Sequence, residues 1–302
     1  MRDPELETLS GRQAACAHHC GAGRRHGHPE EWRQVFETEN SDRSFEEEVK
    51  LSGFGLAGTK DEGAAITYDD AQEAYTSRYV HNTIAMGFSL TEEAIEDNLY
   101  ASLSARYTKA LARAFQHTKE IKGAAVLNEG FTGQVGGDGV NLLSTAHPLV
   151  NGGTNSNEPS TPADLNETSL EAAVIQIGKW TDERGLKIAA RPQKLIIPSD
   201  LQFEAERILK STMRAGTADN DVNALASTSA IPGGYMVHHF LTDPDAWFLT
   251  TDVANGLKHF VRVAMKTSME GDFETGNVKY KGRERYSFGY SDPLGIFGSP
   301  GA

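Results

Sequence analysis

The chain has 302 residues, 38% of them hydrophobic and 24% charged, which is enough apolar content for a packed core and too much for whole-chain disorder. Lys and Arg number 29 against 42 Asp and Glu, a formal net charge of -13. That balance excludes a nucleic-acid-gripping surface over much of the protein, because phosphate neutralisation needs clustered cations. No apolar run reaches the roughly 18 residues of a membrane span, and the acidic start MRDPELETLSG is no signal peptide. The expectation is a soluble protein made in the cytosol.

Residues 1–44 read as an extended, irregular arm. It holds the chain's two cysteines, Cys16 and Cys20, among His18, His19, His26 and His28. The histidine pair follows too closely and is spaced too tightly for a folded zinc unit, so an incidental tail is favoured over a metal cluster. Two short strands, Ala65–Tyr68 and Ser77–Val80, are expected next, joined by an acidic connection into a hairpin too poor in apolar residues to form its own core. A helix over residues 91–122 follows, opened by a capping box at Ser89 and Glu92. Ile95, Leu99, Leu103, Tyr107, Leu111 and Phe115 form its apolar stripe, and at 1.5 Å per residue it would be about 48 Å long. A second helix is expected from a box at Thr168 and Glu171, closed by Gly185, and a third from Ser199 through Leu209. The stretch 191–198 reads as a buried strand and 214–230 as a loop. Strands are expected over 235–241, 246–250, 260–269 and 277–290. This order lacks the regular alternation of a doubly wound sheet and predicts α+β.

The clearest motif is misleading. Gly53, Gly55 and Gly58 fit G-x-G-x-x-G, but the dinucleotide fingerprint needs a buried strand before it and a helix after it. The flanks SFEEEVKLS and TKDEGAAITYDD supply neither, which leaves a nucleotide-cofactor oxidoreductase as the rival reading. No G-x-S-x-G occurs, and His81, His117, His238 and His239 are scattered. Asp61, Glu62, Asp69 and Asp70 lack calcium-loop spacing, and Asp138 among glycines fits a cation contact or a tight turn equally well. No catalytic residue, cofactor or metal is expected; a zinc-dependent adaptor built on the tail is a third reading.

What remains is surface that calls for a partner. Residues 60–100 carry nine acids against Lys60 and Arg78, whereas residues 253–302 carry seven bases against five acids. Opposite patches on one chain favour head-to-tail contacts between copies.

The segments GFGLAGTKDEGAAITYDDAQEAYTSRYVHNT, GFSLTEEAIEDNLY, KGAAVLNEGF, RPQKLIIPSDLQFEAERILKS and DFETGNVKYKGRERYSFGYSDPLGIFGSPGA, in that order, resemble the major capsid proteins of tailed bacteriophages, the Hong Kong 97 fold, from about Phe45 to Ala302. The resemblance implies an arm over 1–44 and an extended loop with a flanking strand over 45–88. It also implies a spine helix of a peripheral domain over 89–131, an axial domain over 132–252, peripheral strands and a turn over 253–290, and a return to the axial domain over 291–302. It implies a subunit that self-assembles into pentamers and hexamers of an icosahedral shell around double-stranded DNA without sequence-specific binding, built in the host cytoplasm with portal, scaffolding and decoration proteins as further partners. Contacts between copies are expected at Lys60, Glu62, Tyr68, Asp69, Arg78, Asp272, Phe273, Glu274, Asn277, Arg283 and Arg285. The founding member's isopeptide joint would map to Lys60, Asn277 and Glu284, a less favoured expectation because most relatives lack it. Only about 44 residues precede the hairpin, too few for a full scaffolding segment.

Overall fold

A computed structural model describes residues 30–97, 100–213 and 222–302. The cysteine- and histidine-bearing tail lies outside them, as do the side chains of Ile95, Leu99 and Leu103. The strands in chain order are β1 (Glu37–Asn40), β2 (Phe45–Leu51), β3 (Glu73–Val80), β4 (Asn82–Leu90), β5 (His147–Pro148), β6 (Thr154–Asn155), β7 (Pro192–Ile197), β8 (Tyr235–Val237), β9 (Trp247–Thr251), β10 (Leu257–Gly271), β11 (Val278–Tyr290) and β12 (Ile296–Ser299). The helices are α1 (Glu92–Glu96), α2 (Tyr100–Asn128), α3 (Glu167–Ile177), α4 (Gln202–Lys210) and α5 (Ala224–Ser227).

One sheet has the order β1-β10-β11-β4, with β1 parallel to β10 and the other pairs antiparallel. Its long members β10 and β11 are buried at the end nearest the core and exposed along the distal half of β10, so the ribbon projects from the body. Helix α2 lies across β11. Leu111 and Phe115 are buried, and Gly282 makes room for them: a Cβ there would come 2.8 Å from the Phe115 ring. Beside them Lys119 pairs with the buried Glu284 at 2.8 Å.

The second sheet has the order β12-β9-β7-β8. Its β7 is apolar on both faces. Leu195 and Ile197 join Leu170, Ile177, Trp180, Trp247, Leu249 and Phe297 in one core, while Ile196 faces a second core with Leu127, Leu142, Phe248 and Ile296. A continuous apolar run is what a strand covered on both faces requires. The second core also contains Trp32, Phe36, Leu257 and Tyr290, so it joins the two sheets.

Several expectations are corrected. The arm is not irregular to residue 44: a 3-10 helix (Glu31–Gln34) and β1 bring Trp32 and Phe36 into the core. Ala65–Tyr68 is not a strand, and β3 pairs instead with Phe45–Leu51, whose acids oppose burial in a parallel sheet but suit an antiparallel hairpin. Ser89 is not a helix cap but a β4 residue opposite Lys279. Helix α2 runs on to Asn128, past Gly123, where an added Cβ would meet Trp32 at 3.1 Å. Helix α3 starts earlier, capped by Asn166 and Ser169 rather than Thr168, and ends at Gly178; Gly185, with φ of +82°, serves a later turn. No side-chain hydrogen bond caps the 3-10 turn at Ser199 that precedes α4. Within the expected loop over 214–230, Asn223 caps the short α5.

His259 sits among the rings of Trp32, Tyr286 and Phe288, stacked on Phe288 at 4.4 Å. Burial keeps it neutral, pushing its pKa from 6.5 down to about 3. The unfolded chain takes up a proton that the fold refuses, so this residue's share of stability is present above pH 6.5 and is lost as the pH falls towards about 3. His259→Phe should therefore lose less stability than the parent between pH 6.5 and about 4, read from urea midpoints. Parallel pH profiles for the two proteins would contradict this.

Candidate assembly interface

Strands β2 and β3 form a two-stranded hairpin whose polarity is inverted. Glu48 and Lys50 point inward, while Val49, Leu51 and Val80 are exposed. The inward charges are paired: Lys50 Nζ lies 3.0 Å from Glu183 and 2.9 Å from Asp292, and buried Lys258 lies 2.5 Å from Glu48 and 2.9 Å from Glu39. Lys50 is desolvated, yet Asp292 and Glu183 outweigh that and raise its pKa. Tyr79 and Glu48 both hydrogen-bond the Ser291 hydroxyl, and His81 lies 2.8 Å from Ser41 and 3.0 Å from Ser287. The hairpin base is therefore fixed to the body at several points.

Beyond it the chain opens into residues 53–71. Ser52 and Gln72 close this loop: Ser52 N donates to Gln72 O at 2.8 Å, and Gln72 N to the Ser52 hydroxyl at 3.0 Å. The loop carries no strand or helix. Phe54, Leu56, Ile66 and Tyr68 are exposed on it, Leu56 at 84% and Tyr68 at 86%. Asp69 accepts from Gly55 N at 2.7 Å and pairs with Arg184, whose hydrogen bond lowers its pKa. Lys60 and Glu62 are exposed near the far end. Arg78 is exposed on the outer hairpin face over the Phe45 ring, 3.7 Å from Glu47.

The β10–β11 turn forms a second projection. Asp272 N and Asn277 O close it at 2.8 Å, Gly276 takes φ of +68°, and Asp272 pairs with Lys279 at 2.5 Å. Phe273 is fully exposed at the tip beside exposed Glu274. Arg283 is exposed on β11, and Arg285 is half-buried with Nη2 3.5 Å from Ser44 O.

Most of the expected contact residues thus fall on two separate projections, while Arg285 lies half-buried lower on β11, beside Glu284. Lys60, Asn277 and Glu284 are not brought together within one chain. Asn277 and Glu284 are about 23 Å apart along one strand, and Glu284 is 2% exposed beneath α2. Gly53, Gly55 and Gly58 lie in the exposed loop, with no helix after them to present an amino end to a pyrophosphate. Sequence reasoning missed the anchors Glu48, Lys50 and Lys258. The signal for the first two was the alternation in FEEEVKL, with charge on one face of the strand and Val49 and Leu51 on the other.

Three-dimensional comparison shows the fold. The capsid of cyanophage P-SCSP1u superposes with a TM-score of 0.59 at 9% identity, covering 92% of this chain and 89% of that one. The capsid of an empty GTA particle gives 0.57 at 14% identity, covering 92% and 91%. The holo-SrpI encapsulin complex of Synechococcus elongatus gives 0.54 at 9%, covering 100% and 96%. At these identities the likeness defines the fold, that of shell proteins of the Hong Kong 97 type. Sequence narrows it: the family described as phage capsid protein matches residues 73–298. The chain belongs to the phage capsid protein family, and it is a structural protein rather than an enzyme. A search of curated protein sequences finds no match. Among the described residues, no helix is long and apolar enough to cross a membrane.

Proposed function

We propose that the chain is the major head protein of a tailed phage, assembling into pentamers and hexamers of an icosahedral shell that encloses double-stranded DNA. The observation that carries this reading is the loop 53–71, which displays Phe54, Leu56, Ile66 and Tyr68 on a rigidly anchored hairpin. Fully burying such side chains contributes about 1.5–3 kcal/mol each, and the loop has no core of its own to bury them in. A neighbouring subunit supplies one. The Phe273 tip makes a second contact, at a site where several subunits meet. The acidic chain leaves packaged DNA ungripped and free to slide. Assembly takes place in the host cytoplasm, with portal, scaffolding and decoration proteins as partners.

Particles purified from cells expressing the chain with its phage's packaging genes should protect double-stranded DNA from nuclease. Closed particles that hold no double-stranded DNA would contradict this reading. The joint through Lys60, Asn277 and Glu284 finds no support in the burial of Glu284 against Lys119. Boiled denaturing gels of mature particles should therefore show monomer. A ladder that disappears on Lys60→Ala would reinstate the joint.

A further inference from the structure

Away from both projections, three distant segments meet in a buried polar cluster. Glu31 comes from the 3-10 turn at the arm base, Glu120 from α2, and His238 directly follows β8. All three are buried, with one donor atom of each within 4.8 Å of the others. His238 Nδ1 lies 3.4 Å from Glu31 Oε2, and His239 Nδ1 lies 2.5 Å from Glu31 Oε1. Backbone amides fix both carboxylates. Glu31 N and Trp32 N donate to the two Glu120 oxygens at 2.9 and 3.1 Å, and His239 N donates to Glu31 Oε2 at 2.9 Å. Each of these oxygens keeps a second lone-pair direction.

Among the described residues neither carboxylate is paired with a Lys or Arg. The nearby cations are engaged elsewhere, Arg33 with Glu30 and Lys119 with Glu284. Two carboxylates held this close and out of water need a proton or a cation between them. His238 turns Nδ1 toward Glu31, and among the described residues only Phe240 N, at 3.3 Å, also approaches that atom.

We propose that Glu31, Glu120 and His238 bind a divalent transition-metal cation of the zinc class, with His239 orienting Glu31 through its hydrogen bond to Oε1. Paired carboxylates and an imidazole form the mixed oxygen and nitrogen set that suits such ions, and a double positive charge offsets both carboxylates. The ion takes the place of the Phe240 amide at Nδ1. Bound there, it staples the arm base and α2 to the β8 end of the second sheet.

The test is zinc content by elemental analysis of the full chain carrying Cys16→Ser and Cys20→Ser, after zinc loading and desalting. The expected result is one equivalent that is lost in Glu120→Gln and in His238→Gln. Cobalt(II) in the same protein should give visible bands without thiolate charge transfer, and zinc should raise the unfolding midpoint of the parent but not that of Glu31→Gln. Since a buried substitution can impair folding, His239→Ala, at a half-exposed side chain, serves as the milder variant and should weaken zinc binding about tenfold or more. No zinc in the parent, or an equivalent that survives Glu120→Gln, His238→Gln and His239→Ala unchanged, would overturn the proposal.

Discussion

Excising residues 53–71 and closing β2 onto β3 with an Asn-Gly turn is expected to give a folded chain that no longer assembles. The cut is clean because Ser52 and Gln72 already face each other across the loop base, and a two-residue turn of that kind matches the twist of a hairpin. The anchors that hold the hairpin, Lys50 on Glu183 and Asp292 and Lys258 on Glu48, lie outside the excised segment. Thermal unfolding should therefore stay close to that of the parent. Four exposed apolar side chains vanish from each subunit contact. Even at about 1.5 kcal/mol each, the loss is about 6 kcal/mol, or roughly four orders of magnitude in contact affinity. Sedimentation should show a small species where the parent forms particles. Normal particles from the excised chain would remove the loop from the account of assembly.

Phe115→Ala is expected to have the largest effect on the stability of the subunit itself. Phe115 is buried where α2 crosses β11, directly over Gly282. Truncating a buried Phe costs about 3–5 kcal/mol, because the surrounding backbone cannot collapse into the space. The opposite change, Gly282→Val, should cost about 1–3 kcal/mol by overpacking, since even a Cβ there would sit 2.8 Å from the ring. Both should appear as lower urea midpoints with little change in slope. If Phe115→Ala leaves the midpoint within about 0.5 kcal/mol of the parent, the helix is not seated on the sheet through this residue.

The parts of the fold legible in the sequence were those with local periodicity. The four-residue stripe through Leu111 and Phe115 placed α2, and the run around Leu195, Ile196 and Ile197 marked a buried strand, which the structure sets between two cores. What escaped depends on partners distant in the chain. The arm base looked irregular because the residues that bury Trp32 and Phe36 are Val126, Leu127, Leu257 and Phe288. Helix α2 was read from its stripe only as far as residue 122, whereas it runs past Gly123, whose missing side chain makes room for Trp32. The candidate interface was legible as a hairpin lacking a core. Its pairing was not, because Glu46, Glu47 and Glu48 discourage a strand until Lys258 and Arg78 supply the counter-charges. The Glu31, Glu120 and His238 cluster carries no sequence signal at all, its members being about a hundred residues apart.

Cryo-electron microscopy of particles formed by the full chain tests the central claim most directly. The account predicts closed shells of pentamers and hexamers in which residues 53–71 lie against a neighbouring subunit, with Phe54, Leu56, Ile66 and Tyr68 covered and the Phe273 tip at a meeting point of several subunits. Shells in which this loop stays exposed to solvent, or a chain that remains monomeric at every concentration, would contradict it.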